Sequence, residues 1–249
     1  MQERFDRAIY TLGITRSRSE AEDLIKRGLV SVRNNRGEFV VVSKPSKLFD
    51  ISSLTKDCIQ VSTTQYVSRG AYKLLKAFDT WKLSVQGKSA IDIGSSTGGF
   101  TQVLLEKGIS KVYAVDVGSD QLDLKLKDDE RVVSLESTNI QTLEGLPADE
   151  RVDFFVIDLS FISIKNIFPV LERFVKKHAE GVVLIKPQFE VGKEYISKNG
   201  IVKNEKAVHN AMTNIRNVLR ECGFNLQGEI ESPIQGGSGN IEYLWYVVK

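Results

Sequence analysis

Residues 90–101, Ala-Ile-Asp-Ile-Gly-Ser-Ser-Thr-Gly-Gly-Phe-Thr, restrict the fold more than any other stretch of the chain. Ser89 to Ile93 reads as a buried strand, the small residues after it as a turn, and Gly99 or Phe100 as the start of a helix. Gly94, Gly98 and Gly99 let the backbone turn tightly and approach a ligand. Ser95, Ser96 and Thr97 supply capping hydroxyls, and the helix start beyond them presents unpaired N–H groups. In a doubly wound sheet this first strand-to-helix turn is where a nucleotide-like cofactor sits.

The spacing Gly94-x3-Gly98-Gly99 is neither the dinucleotide pattern nor a P-loop, which argues against a dinucleotide and against ATP. The form Asp-x-Gly-x3-Gly-Gly, headed by Asp92, resembles the cofactor loop of class I methyltransferases that bind S-adenosylmethionine. An ordinary glycine-rich turn is the alternative.

From Gly87 the pattern alternates strand and helix. Predicted strands are Ser89–Ile93, Lys111–Val115, Val132–Leu135, Asp153–Ile157, Val182–Ile185, Asn225–Ile230 and Ile241–Val248. Helices are expected near Gly99–Lys107, Gln121–Lys127, Ile164–Lys176 and Asn204–Cys222, with another from Ser68 to Phe78. Early strands separated by helices imply a parallel sheet with right-handed crossovers. The last two strands have no helix between them and should be antiparallel.

The first 60 residues hold 11 basic against 8 acidic side chains, and the rest of the chain 23 against 24. Here Phe5, Ala8, Ile9 and Leu12 have helical spacing, and a second helix is expected over Glu20–Arg27. Short strands follow at Leu29–Val32, Phe39–Val42 and Cys58–Val61. Arg16-Ser17-Arg18-Ser19, a helix, then Lys26-Arg27-Gly28-Leu29-Val30-x-Val32 resembles the small RNA-binding domain named after ribosomal small-subunit protein four. The expected organisation is an RNA-binding domain over 1–61, a linker over 62–67 and a cofactor domain over 68–249.

Composition excludes several classes. A hydrophobic share of 41% suits a packed core, and no apolar run is long enough to span a membrane as a helix. Residues 1–20 do not read as a signal peptide. Cys58 and Cys222 give no disulfide framework, and His178 and His209 are too few for a histidine-based zinc site or triad. A cytoplasmic monomer that binds neither metal nor membrane is expected.

Asp116 ends the second predicted strand, where an acid accepts hydrogen bonds from ribose hydroxyls. Asp92 and Asn139 lie at the ends of adjacent strands, Asn139 within reach of an adenine edge. Asp158 and Lys186 close two fully apolar strands, so each charge begins near low dielectric and calls for a partner. A salt bridge without catalytic role would also satisfy them. Arg69 and Lys73, four apart on one helix face, suit an anionic ligand such as RNA, or a solvated face.

Five motifs occur in order: Tyr66-Val67-Ser68-Arg69-Gly70, Asp92 to Phe100, Asp158-x-Ser160-Phe161-Ile162, Lys186-Pro187-Gln188-Phe189-Glu190 and Gly239-Asn240-Ile241-Glu242. Together they resemble the TlyA or hemolysin-A-like family of ribosomal RNA methyltransferases, related to the FtsJ group. The resemblance implies an α/β fold: a class I, Rossmann-like domain with a seven-stranded, mostly parallel sheet, behind a small α+β RNA-binding domain. It implies 2′-O-methylation of ribose, in cytidine of ribosomal RNA or subunits, with S-adenosylmethionine as cofactor. Its Lys-Asp-Lys-Glu tetrad maps onto Lys73, Asp158, Lys186 and Glu242. Cofactor contacts are expected from Asp92, Gly94, Ser95, Ser96, Thr97, Gly98, Gly99, Phe100, Asp116, Asn139 and Asp158. RNA contacts are expected from Arg4, Arg7, Arg16, Arg18, Lys26, Arg27 and Arg69. Lys186 would take the hydroxyl proton or stabilise the alkoxide, with Asp158 orienting it. A ribosome-binding assembly factor with a degenerate site, and a membrane-lytic protein, are the competing readings.

Overall fold

The computed structural model describes residues 2–15, 17–26, 28–34, 36–50, 52–62 and 66–249. The chain divides into two compact units, one ending at Tyr72 and one running Lys73–Lys249.

The first unit pairs β1 (Gln2–Arg4) with β4 (Leu48–Asp50) and packs α1 (Phe5–Thr11) on α2 (Arg18–Lys26). A second, antiparallel sheet runs in the order β3 (Phe39–Val41), β2 (Val30–Arg33), β5 (Ile59–Val61). Phe5, Ala8, Ile9, Ala21, Ile25, Val30 and Val32 form its core. The β1–β4 ribbon is not visible in the sequence, because three residues of mixed polarity carry no alternation to read.

In the second unit seven strands form one sheet. They are β6 (Ser89–Ile93), β7 (Lys111–Val115), β8 (Val132–Leu135), β9 (Val152–Ile157), β10 (Val175–Ile185), β11 (Asn225–Glu231) and β12 (Tyr243–Val248). Their order is β11-β12-β10-β9-β6-β7-β8. The five strands from β6 to β10 are parallel, while β12 runs antiparallel to both β10 and β11. The helices are α3 (Gly70–Trp81), α4 (Gly99–Glu106), α5 (Leu124–Lys127), α6 (Phe168–Leu171) and α7 (Glu205–Glu221). Asn204 caps α7 by accepting from the Ala207 N–H at 2.9 Å, and Ala207, Ala211, Met212, Ile215 and Leu219 are its buried stripe.

Three expectations change. The helix expected over Ile164–Lys176 is instead a short 3-10 turn, the one-turn α6 and the start of β10. Pro169 sits in the first turn of α6, where it favours a new start over continuation. The helix expected from Gln121 begins only at Leu124, because the Gln121 and Leu122 N–H groups donate to the Glu136 carboxylate and Asp123 caps the start. The last strand begins at Tyr243 rather than Ile241, which leaves Glu242 just ahead of it.

Gly181, in the middle of β10, lies under the Phe155 ring, and a Cβ there would stand 2.3 Å from it. Phe155 packs edge-on against Phe224 in the core cluster, so the ring cannot withdraw freely. Gly181→Ala should therefore destabilise the fold by about 1–3 kcal/mol through overpacking, read from urea unfolding.

Candidate active site

Two apolar strands run out at the same sheet edge, and each is followed by a charge: Ile157 by Asp158 and Ile185 by Lys186. Because β12 is antiparallel, its first residue, Tyr243, pairs with Ile185. Glu242 therefore arrives at the end where the parallel strands finish. Lys73, on α3, completes the group.

The four side chains form one chain of alternating charge. Lys73 Nζ donates to Glu242 Oε2 at 2.7 Å and lies 3.9 Å from Asp158 Oδ2. Lys186 Nζ lies 2.5 Å from Asp158 Oδ1 and donates to Ser160 Oγ at 2.9 Å. The Glu242 side chain is 3% exposed and that of Lys73 10%. Each side chain thus has one of opposite charge type beside it, which is what makes their burial tolerable.

The loop after β6 is shaped by its neighbours. The N–H groups of Gly94 and Ser95 donate to the Val115 carbonyl, and that of Ser96 to Asp116 Oδ2 at 2.8 Å. Asp116 Oδ1 accepts from the Gly118 N–H, so this carboxylate already joins two turns. Gly94 has φ +86°, and a Cβ on it would lie 2.4 Å from the Asp158 carbonyl oxygen. Only glycine fits where the ends of β6 and β9 meet. A Cβ on Gly98 would strike Leu122 and Leu126, so Gly98 answers to α5 packing. The Thr97 carbonyl accepts from Asp123, Gly99 opens α4, and Phe100 is buried.

Gly94, Asp116, Asn139, Leu159 and Ser160 line a cleft of about 180 Å³. Asn139 spends its Oδ1 on the Gln141 N–H. Asp92 is fully enclosed, and Thr101 Oγ1 donates to its Oδ2 at 2.7 Å. Burial pushes the Asp92 carboxyl up to about 7; the Thr101 bond opposes the rise, and the charge of Asp158 adds to it. Asp92 Oδ1 and Ser95 Oγ are buried without a hydrogen-bond partner. Two buried acceptors beside a glycine cradle fit a ligand that brings a cationic donor to this loop.

The strand exits carry three side chains, Ser160, Phe161 and Glu190, that were not among the site residues expected from sequence. Ser160 bonds Lys186. Glu190 accepts from Ser163 Oγ and the Ile164 N–H, both at 2.7 Å, and ties the turn after β10 to the turn after β9. Burial raises its carboxyl above the ordinary range. Phe161 has φ +66°, is 91% exposed, and pairs with the Phe189 ring at 5.1 Å. Ser160, Phe161 and Glu190 fall inside the recognised motifs, and that was the available signal. The positive φ of Phe161 leaves no mark in sequence.

In the first unit, Asp6 is fully buried and accepts from Arg4 Nε and Nη2 and from Arg18 Nε, all at 3.0 Å. Burial works to raise its carboxyl, and these bonds outweigh that and lower it. Arg4 and Arg18 remain about half exposed, so each guanidinium keeps an outward side. Arg7 pairs with Glu3 and Lys26 with Glu22. The stem of Arg69 covers Gly28. Arg16 and Arg27 lie outside the described residues.

Among the described residues no group of three or more His, Cys, Asp or Glu could hold a metal ion, and no helix is long and apolar enough to cross a membrane. Residues 66–249 match the FtsJ-like methyltransferase family. The chain is 40% identical to hemolysin A of Brachyspira hyodysenteriae, over 98% of this chain and 99% of that one. It is 38% identical to the 16S/23S rRNA (cytidine-2′-O)-methyltransferase TlyA of Mycobacterium tuberculosis, over 97% of this chain and 88% of that one. A solved Streptococcus thermophilus structure described as a hemolysin superposes with a TM-score of 0.73 at 39% identity, covering 100% of this chain and 88% of that one. The glycine-cradled loop, the seven-stranded sheet with one reversed strand and these matches lead to one conclusion: the chain belongs to the FtsJ-like methyltransferase family.

Proposed function

We propose that this protein transfers a methyl group from S-adenosylmethionine to the 2′-hydroxyl of a ribose in ribosomal RNA, with cytidine as the target nucleoside. The observation that carries the reading is the Glu242–Lys73–Asp158–Lys186 chain, which ends beside the glycine-cradled cleft. The rRNA methyltransferase relative supports the substrate class.

Asp92, Ser95 and the backbone at Gly94 would hold the methionine end of the cofactor, and Asp116 and Asn139 its nucleoside end. When bound, S-adenosylmethionine supplies an electrophilic methyl carbon on its sulfonium. The chain's own residues then have three tasks. Lys186 removes the hydroxyl proton or holds the oxygen as negative charge develops on it. Asp158 and Ser160 fix the lysine nitrogen from two sides. Lys73, clamped by Glu242, faces Asp158 from the opposite side and keeps that carboxylate in place. Holding the hydroxyl in line with the methyl carbon supplies much of the remaining rate. The Phe161 and Phe189 rings offer faces on which a splayed-out base stacks. The outward sides of Arg4 and Arg18 suit phosphate contacts of folded RNA.

Three outcomes follow. Lys186→Ala should cut transfer of labelled methyl to ribosomal subunits by on the order of 100-fold or more while leaving cofactor affinity within about 3-fold; full activity would reject the assignment. Ionised Asp92 suits a cationic ligand, so affinity for S-adenosylmethionine should rise by up to about 10-fold per unit as pH climbs toward about 7, then level off. Titration calorimetry across pH, with Asp92→Asn as the flat control, reads this. The third concerns stability without ligand. Asp92 holds its proton more tightly folded than unfolded, so its stabilising contribution is complete below about pH 4 and is lost as pH rises through about 7. At pH 8 the ligand-free Asp92→Asn variant should melt above the wild type.

A further inference from the structure

The loop that follows Lys186 returns as a small hairpin. Ile196 bridges Val202, the Ser197 N–H donates to the Ile201 carbonyl at 2.9 Å, and the Gly200 N–H donates to the Ser197 carbonyl at 2.8 Å. A separate turn, 236–240, precedes Glu242 and is closed by the Gly236 N–H on the Asn240 carbonyl at 3.0 Å. One side chain joins the two. Asn240 is 3% exposed; its Oδ1 accepts from the Val202 N–H at 2.9 Å and its Nδ2 donates to the Gly200 carbonyl at 2.8 Å. An N–H partner on one side and a carbonyl on the other permit only this orientation of the amide.

The same turn makes room for the tetrad acid. A Cβ on Gly236 would lie 2.4 Å from Glu242 Oε1. The φ of Gly236 is outside the left-handed region, so alanine fits the backbone and only the Glu242 carboxylate would have to move. Val202 and Lys203 at the end of the hairpin and Asn240 in the turn line a groove of about 600 Å³ together with Val208 and Met212 of α7 and Glu229 and Glu231 of β11. This groove runs along α7 and β11 and includes none of Lys73, Asp158, Lys186 and Glu242, whereas the glycine-cradled cleft lies at the ends of β6, β7 and β9.

We propose that Asn240 and Gly236 are positioning residues: Asn240 fixes the 196–202 hairpin, in the segment that follows Lys186, against the turn that precedes Glu242, and Gly236 leaves the space in which Glu242 faces Lys73. The inference rests on the methyl-transfer reading above. It makes the 236–240 turn the joint between acceptor side and tetrad, with each residue acting through a different partner. Asn240 acts on acceptor binding through Gly200 and Val202, and Gly236 acts on the chemical step through Glu242.

The test compares wild type, Asn240→Ala, Asn240→Asp and Gly236→Ala with S-adenosylmethionine and ribosomal subunits. Asn240→Ala should raise the acceptor KM by about 10-fold or more, and Asn240→Asp at least as much, because its buried carboxylate would face the Gly200 carbonyl. Gly236→Ala should lower kcat by about 10-fold or more at an acceptor KM within about 3-fold of wild type. Cofactor affinity should stay within about 3-fold in all of them. Hydrogen exchange gives a readout independent of activity: the Val202 amide should lose protection in Asn240→Ala and keep it in Gly236→Ala. Wild-type kinetics in both alanine variants, unchanged Val202 protection, or a joint loss of cofactor affinity and melting temperature would overturn the proposal. If wild-type protein itself methylates no RNA, the parent reading fails, and the Val202 exchange still decides the role of Asn240.

Discussion

Three charges at strand ends and a fourth on α3 would be ruinous singly; as a linked chain they are sustainable. Glu242, Lys73, Asp158 and Lys186 each have an opposite charge beside them. Removing one member of a buried pair costs about 3–5 kcal/mol, because the partner is left charged and dry. Much of the local architecture serves that requirement. Gly94 has no side chain, so the Asp158 backbone can close on β6, and Gly236 has none, so the Glu242 carboxylate can reach Lys73. Ser160 supplies Lys186 with a neutral second partner.

Sheet topology explains how residues so far apart in sequence meet. Parallel strands deliver Asp158 and Lys186 to one edge as they end. A further parallel strand in the place of β12 would deliver its first residue to the opposite edge. The reversed direction of β12 brings Glu242 to the shared one, at the start of a strand rather than its finish. Reversal of one strand is thus what brings the fourth charge to the other three, and the 236–240 turn lies just ahead of that charge.

The sheet was largely readable in the sequence because its strands are continuous apolar runs of the right length. Val112 to Val115 and Phe154 to Ile157 are buried as their composition demands. The glycine loop was readable for a related reason: small residues between a strand and a helix have few other uses. Elements fixed by tertiary contacts were not readable. Gln121 and Leu122 have helical residue types, and Glu136 from another segment holds them out of α5. Val175 extends β10 because it pairs with Val152, whereas the sequence around it reads as helix. In the site, the tetrad members were named by motif, but nothing in the motif says that Asn240 is buried between two carbonyl-and-amide partners or that Phe161 stands exposed with a left-handed backbone. Those facts belong to chain geometry, and residue identity does not encode them locally.

Asp92, near the end of β6, is an acid that burial keeps from ionising easily, and the proposed cationic ligand would offset that cost to the ligand-free fold. In the proposed reading, binding strength and acceptor chemistry draw on separate charge groups on either side of Asp158. The central claim is that the acceptor is a ribose hydroxyl, and alkaline hydrolysis of RNA labelled by the wild-type enzyme tests it most directly. A methyl on the 2′-oxygen blocks cleavage of the adjoining phosphodiester. The account predicts that the label appears in alkali-resistant dinucleotides; label recovered in mononucleotides would place the methyl elsewhere and contradict it.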